Sequence, residues 1–181
     1  MSAPICIVQG VGPLAGLGAA LCRRFAREGL HVVVAGRTAE KLDAVVAAIE
    51  ADGGTATAQR ADATSEADTI ALFDAAAALG PLECAIYNAG NNTPGRIVEM
   101  EADYFEHSWR LSGLGGFLFG REAVRRWRAA GDATDAPRSL LFTGASASLR
   151  GRPNFGAFNA AKGALRNLAQ ALAKEHGAEG I

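Results

Sequence analysis

The sequence predicts an α/β fold: a doubly wound parallel sheet of order 3-2-1-4-5, Rossmann-type, in a three-layer α/β/α stack. Three observations lead there. Apolar runs of strand length alternate with amphipathic helical patterns from Ile5 to the end of the chain. A glycine-rich turn follows the first apolar run directly. Glycine, proline or asparagine signals then punctuate most of the later elements. Strands that alternate with helices pair in parallel through right-handed crossovers, and a reversal of strand order opens a crevice at the carboxyl ends of the strands.

Each element has its own justification. Ile5 to Gln9 is a short apolar strand, and Leu17 to Glu28 has helical composition that Gly29 stops. His31 to Ala35 is the second strand. The next helix has Thr38 as its expected N-cap. Its Leu42, Val45, Val46 and Ile49 recur at i, i+3, i+4 and i+7, so they form one apolar face. Gly53-Gly54 ends that helix. Thr55 to Arg60 is a weaker third strand, and residues 65–79 form a helix closed by Gly80-Pro81. Leu82 to Tyr87 is the fourth strand, with a turn at Asn88-Ala89-Gly90. A long helix is predicted over about 101–129, weakened in its middle by Gly113, Gly115 and Gly116. Ser139 to Thr143 is the fifth strand. A loop from Gly144 to Asn154 leads to a last helix over 156–176, where Leu165, Leu168, Ala169 and Leu172 share a face. No repeat or linker divides the chain, so residues 1–181 are expected to form one dinucleotide-binding domain.

Composition narrows the function classes. A formal net charge of −1 gives no global field for nucleic acid or an anionic membrane. The cluster of Arg121, Arg125, Arg126 and Arg128 reads as a solvated helix face rather than a phosphate patch. Cys6, Cys22 and Cys84 lack metal-ligand or redox spacing, and Cys6 and Cys84 sit in apolar strands as small buried hydrophobes. His31, His107 and His176 are scattered and suggest no metal site. No apolar run approaches a membrane span of about 20 residues. The start of the chain lacks the pattern of a secretion signal, so a reducing cytoplasm is expected.

The turn Gly10-Val11-Gly12-Pro13-Leu14-Ala15-Gly16-Leu17-Gly18 joins strand to helix. A helix N-terminus offers unpaired N–H groups and partial positive charge to a pyrophosphate, and glycines let the backbone approach it. Gly10, Gly12, Gly16, Leu17 and Gly18 are therefore candidate cofactor contacts. Two registers fit: Gly10 ends the strand with a turn two residues longer than usual, or the strand runs on to Val11 and Gly12 opens the turn. The first is preferred. The second strand ends in Ala35-Gly36-Arg37-Thr38, without the acid that would read an NAD ribose. Arg37 instead offers a planar fork suited to a 2′-phosphate, which favours NADP(H) over NAD(H).

Near the carboxyl end, residues 154–162 read Asn-Phe-Gly-Ala-Phe-Asn-Ala-Ala-Lys. With the glycine turn and Asn88-Ala89-Gly90, this segment resembles the short-chain dehydrogenase/reductase family, and the resemblance spans essentially the whole chain. It implies an NAD(P)-dependent oxidoreductase acting on a small alcohol or ketone. It assigns Asp62 to the adenine, Asn88, Ala89 and Gly90 to the cofactor cleft, and Lys162 to the nicotinamide ribose. The family's catalytic Tyr-x-x-x-Lys pair has Phe158 in the tyrosine's place, and a phenyl ring neither donates nor takes a proton. Its catalytic serine, thirteen residues earlier, corresponds to Ala145, with Ser146 adjacent. Its catalytic asparagine corresponds to Ser112. A longer Tyr-to-Lys spacing, found in some enoyl reductases, lands on Phe155 and supplies no hydroxyl either.

Lys162, Ser146 and Ser112 are thus the catalytic candidates, with Ser148, Arg150 and Arg152 on the same loop as further polar groups. The resemblance also implies a homo-oligomer through the two long helices, and later strands six and seven, before which the chain is expected to be truncated. The expected activity is hydride transfer with an atypical proton relay. The alternative is a dinucleotide-binding pseudoenzyme, a sensor or scaffold. A purely structural module would need neither the glycine turn, nor Arg37, nor Lys162.

Overall fold

The computed structural model of the protein describes residues 2–131 and 138–181. Five strands, β1 (Ile5–Gln9), β2 (His31–Gly36), β3 (Thr55–Arg60), β4 (Leu82–Tyr87) and β5 (Ser139–Phe142), form one sheet in the order β3-β2-β1-β4-β5. Every pairing is parallel. The predicted order is therefore observed. Its cause is the near-continuous apolar character of β1, β2 and the second half of β4, which must be covered on both faces.

Among the described residues, six α-helices connect and cover the strands: α1 (Leu17–Arg27), α2 (Ala39–Ala51), α3 (Glu66–Ala77), α4 (Ala102–Trp109), α5 (Gly115–Ala130) and α6 (Gly156–His176). On one face Cys6, Val8, Val32, Val34 and Ile86 pack against Ala19 and Cys22 of α1 and Leu42, Val45 and Ile49 of α2. On the other, Ile5, Ile7, Val33, Ala85 and Tyr87 meet Leu72 and Phe73 of α3, Phe119 and Trp127 of α5, and Leu165 of α6. All three cysteines are buried free thiols, as small hydrophobes would be.

Four local expectations change. The predicted long helix is interrupted: Arg110–Leu114 form a π-helical turn between α4 and α5. A long-range contact accompanies it. The buried Tyr87 hydroxyl donates to the Leu111 carbonyl, and Gly115 leaves the space that this phenol fills. Thr38 is the N-cap residue of α2, but its side chain makes no capping bond. The arginine cluster on α5 is ion-paired rather than simply solvated: Arg121 to Glu66, Arg126 to Glu122 and Asp74, Arg125 to Glu122, Arg128 to Glu179. Finally, Leu165 of the apolar face of α6 is buried, whereas Leu168 packs against the core only partly. That face borders β5, where Leu141 is exposed at the sheet edge. Among the described residues, no helix is long and apolar enough to cross a membrane.

Candidate active site

The carboxyl ends of β1, β2, β3 and β4 meet at one crevice, because β1 lies between β2 and β4 while their connections leave to opposite faces. β1 stops at Gln9, and the amides of Gly10 and Val11 both donate to the Ala35 carbonyl at 2.9 Å. Gly10 therefore ends the strand, the preferred register. Its φ of +94° suits glycine, and a Cβ there would press on the Asn88–Ala89 backbone at 2.5 Å. Gly16, the N-cap residue of α1, closes a turn by donating to the Pro13 carbonyl at 2.8 Å. Leu17 begins α1 and is exposed. Gly18 sits so close to Val11 and Asn88 that a Cβ would lie 3.0 Å from Val11 Cα and 3.1 Å from Asn88 Nδ2. Gly12 has open space beside it.

A cavity of about 180 Å³ follows this turn. Gly10, Gly12, Gly36, Arg37, Ala61, Ala89 and Gly90 are among its lining residues. Small residues from four strand ends thus leave an elongated floor beside the N-terminus of α1. Gly10 and Gly36 let the backbone segments of the turn approach one another where a Cβ would collide, and the small lining beside a helix N-terminus fits a dinucleotide.

Asn88 fastens the floor. Its Nδ2 donates to the Gly10 carbonyl at 3.0 Å, and its Oδ1 accepts from Thr143 Oγ1 at 2.9 Å. One amide therefore ties the glycine turn to the end of β5. Both ends of this side chain are committed to bracing.

Asp62 lies farther along the same edge. Its Oδ1 accepts from the amide and the hydroxyl of Thr64, both at 2.8 Å. The Thr64 amide is the main reason its carboxyl sits below the usual range; the Thr64 hydroxyl and the charges of Arg37 and His107 add to it. Ser65, not Asp62, caps α3 by accepting from the Asp68 amide. Arg37 is exposed and makes no ion pair among the described residues.

At the opposite end of the crevice stands Lys162, on the second turn of α6. It is 4% exposed. Its ammonium donates to the Thr143 carbonyl at 2.8 Å, and it forms no salt bridge among the described residues. Burial lowers its pKa from 10.5 to about 8. A Cβ on Gly90 would lie 3.3 Å from Lys162 Nζ and 3.9 Å from Ser112 Oγ. The glycine thus keeps open the space that these two polar groups border. Ser112, from the π-turn, is fully buried, and its hydroxyl has no hydrogen-bond partner among the described residues. A buried hydroxyl without a hydrogen bond costs about 1–3 kcal/mol.

Ser146 and Ser148 lie on a short turn that packs against α6. Ser146 is exposed on a short 3-10 turn and makes no side-chain hydrogen bond among the described residues. Ser148 is spent on the Ala145 carbonyl at 2.7 Å. Arg152 stacks over the Phe155 ring at 5.2 Å. Phe158, half-buried, lies one helical turn before Lys162. The structure therefore joins Lys162, Ser112 and Gly90, and separates them from Arg37 and Asp62 by the length of the glycine cradle.

Sequence reasoning missed two features. Thr143 supplies the carbonyl that holds Lys162, a role that only the meeting of β5 and α6 creates. Arg60 lies beside Arg37 through the Gly36–Arg60 register of β2 and β3, which strand pairing reveals and residue spacing does not.

Comparison with known proteins agrees with this geometry. The family profile of the short chain dehydrogenases matches residues 6–181. A crystal structure of a short-chain dehydrogenase from Rhodopseudomonas palustris superposes with a TM-score of 0.87 at 39% identity, covering 96% of this chain and 78% of that one. An uncharacterized oxidoreductase of Bacillus subtilis is 33% identical over 94% of this chain and 24% of its own length. Elsinochrome reductase 1 of Elsinoe fawcettii is 29% identical over 96% of this chain and 62% of its own length. The chain thus spans less than two thirds of either curated relative.

Proposed function

Because the chain belongs to the short-chain dehydrogenase family, we propose that it is an NADP(H)-dependent oxidoreductase interconverting a small alcohol and a ketone. The observation that carries this reading is the crevice itself. A glycine cradle, an Arg37 with no ion pair among the described residues and a buried Lys162 lie along one line of strand ends.

Each residue has a stated task. Amides of the turn from Gly10 to Gly18 face the pyrophosphate at the α1 N-terminus. Arg37 takes the 2′-phosphate by charge-assisted hydrogen bonds, and Asp62 borders the adenine end. Lys162 holds the ribose nearest the nicotinamide, its ammonium fixed by the Thr143 carbonyl. When bound, the nicotinamide supplies or accepts the hydride. The resulting alkoxide needs a proton, and neither Phe158 nor Ala145 has one to give. Lys162 and Ser112 are the polar groups left beside Gly90. A pKa of about 8 lets Lys162 release and regain a proton near neutral pH. These two residues form the atypical relay.

The absence of a hydroxyl at 145 and 158 also favours a second reading, a dinucleotide-binding pseudoenzyme acting as sensor or scaffold. Absorbance-monitored NADPH oxidation with 9,10-phenanthrenequinone as carbonyl probe separates the two. Turnover that disappears in Lys162→Met supports the relay. Binding without turnover of this or simpler ketones supports the pseudoenzyme. Association as a homo-oligomer is supported by Phe105, Trp109 and Phe117, exposed on α4 and α5. Free buried thiols suit a reducing cytoplasm.

A further inference from the structure

Arg37 does not stand alone. Parallel pairing places Gly36 of β2 opposite Arg60 of β3, and the ladder continues through the Ala61 amide, which donates to the Gly36 carbonyl at 2.8 Å. Paired residues of parallel strands direct their side chains to the same face. A Cβ on Gly36 would point at the Val11 carbonyl, 2.5 Å away, and at Leu42 of α2, 3.2 Å away. The Cβ of Arg60 therefore leaves β3 on the α2 side, and because β3 is the edge strand the residue still lines a cavity shared with α3.

Arg37 and Arg60 line one cavity of about 450 Å³ together with Asp62, Asp68 and Ala71. The two acids of this cavity are already engaged. Asp62 Oδ1 accepts from Thr64, Asp68 Oδ2 accepts from the Asp62 amide at 2.8 Å, and Asp68 Oδ1 accepts from Ser65 Oγ at 3.0 Å. Neither guanidinium comes within 4.0 Å of a carboxylate among the described residues. By contrast, all four arginines clustered on α5 are ion-paired. Two unspent planar forks facing one cavity form a seat for a dianion. Bidentate recognition of phosphate is what such forks do best.

We propose that Arg60 is the second ligand of the cofactor's 2′-phosphate and, with Arg37, determines the preference for NADP(H). This rests on the dinucleotide reading of the crevice. The two guanidiniums approach the phosphate from adjacent strands, so the preference belongs to the end of β3 as much as to the end of β2.

The test is fluorescence titration of the full chain with NADPH and with NADH, for the unmodified protein, Arg60→Gln, Arg37→Gln and the double variant. Competition by 2′,5′-ADP against 5′-AMP reads the phosphate directly. Arg60→Gln is expected to weaken NADPH and 2′,5′-ADP by about 10–100-fold and to change NADH and 5′-AMP less than about twofold. Arg60→Lys is expected to recover part of the loss. An Arg60→Gln protein that binds NADPH as the unmodified chain does, while Arg37→Gln loses it, overturns the proposal and leaves the dinucleotide reading intact. Equal losses for NADPH and NADH also overturn it, since they place Arg60 in general folding or binding. An unmodified chain that binds neither dinucleotide defeats the underlying reading, and the proposal with it.

Discussion

Replacing Lys162 by Met keeps most of the buried stem and removes the ammonium. The pKa of about 8, against an ordinary 10.5, corresponds to about 3 kcal/mol of burial cost for the charged form. The unfolded chain holds the extra proton between about pH 8 and 10.5. The folded protein therefore gains stability as pH rises through that window, and the full cost of the buried charge is felt below it. The lost bond to Thr143 offsets about 1.5–3 kcal/mol of what the substitution relieves near pH 7. Lys162→Met is thus expected to equal or exceed the unmodified protein in stability near pH 7. Relative to the unmodified protein it then loses about 3 kcal/mol as the pH rises to 10.5. Urea unfolding of both proteins at a series of pH values, followed by circular dichroism, measures the difference while other titrating groups cancel. Parallel stability curves across the window would refute the reasoning, because they would mean that the ammonium is not desolvated in the folded state.

The remaining predictions concern the groups around it. Ser112→Ala removes a buried hydroxyl that has no partner among the described residues, so it is expected to raise stability by about 1–3 kcal/mol while lowering turnover. A destabilised variant would show that the hydroxyl is bonded after all. Phe158→Tyr restores a phenol one turn before Lys162 and is expected to raise quinone reduction, within the range of about 10²–10⁴-fold available to a general acid. Ala145→Ser added to it is expected to raise the rate further, and a double variant no faster than the single one would remove Ala145 from the account.

Much of the fold was legible because it rests on local signals. The bounds of β1, β3, β4 and α6 follow from apolar runs and glycine punctuation that tertiary contacts do not override. The π-turn at Arg110–Leu114 was only half legible. Gly113, Gly115 and Gly116 advertise a weak helix, but its shape is tied to a hydrogen bond from Tyr87, twenty-four residues away. Thr38 marks the start of α2, yet its hydroxyl makes no capping bond, since a preference for a position does not fix a rotamer.

The site divides along the same line. Gly10 and Gly18 are required by steric contacts with their chain surroundings, and their spacing in a strand–turn–helix context announces them. Lys162 is recognisable from its motif, but its burial and its carbonyl partner come from the packing of α6 against β5. Arg60 gives no local signal at all, because its neighbour Arg37 is adjacent only through strand pairing. Asn88 reads as a cofactor residue by resemblance, whereas its amide is spent on bracing Gly10 and Thr143.

The central claim is that the crevice between the ends of β1 and β4 is a dinucleotide site. Titration calorimetry of the unmodified chain with NADPH tests it most directly. The account predicts saturable binding of one NADPH per chain, weakened in Lys162→Met and weaker still for NADH. Absence of binding heat for both NADPH and NADH, in a protein shown by circular dichroism to be folded, would contradict it.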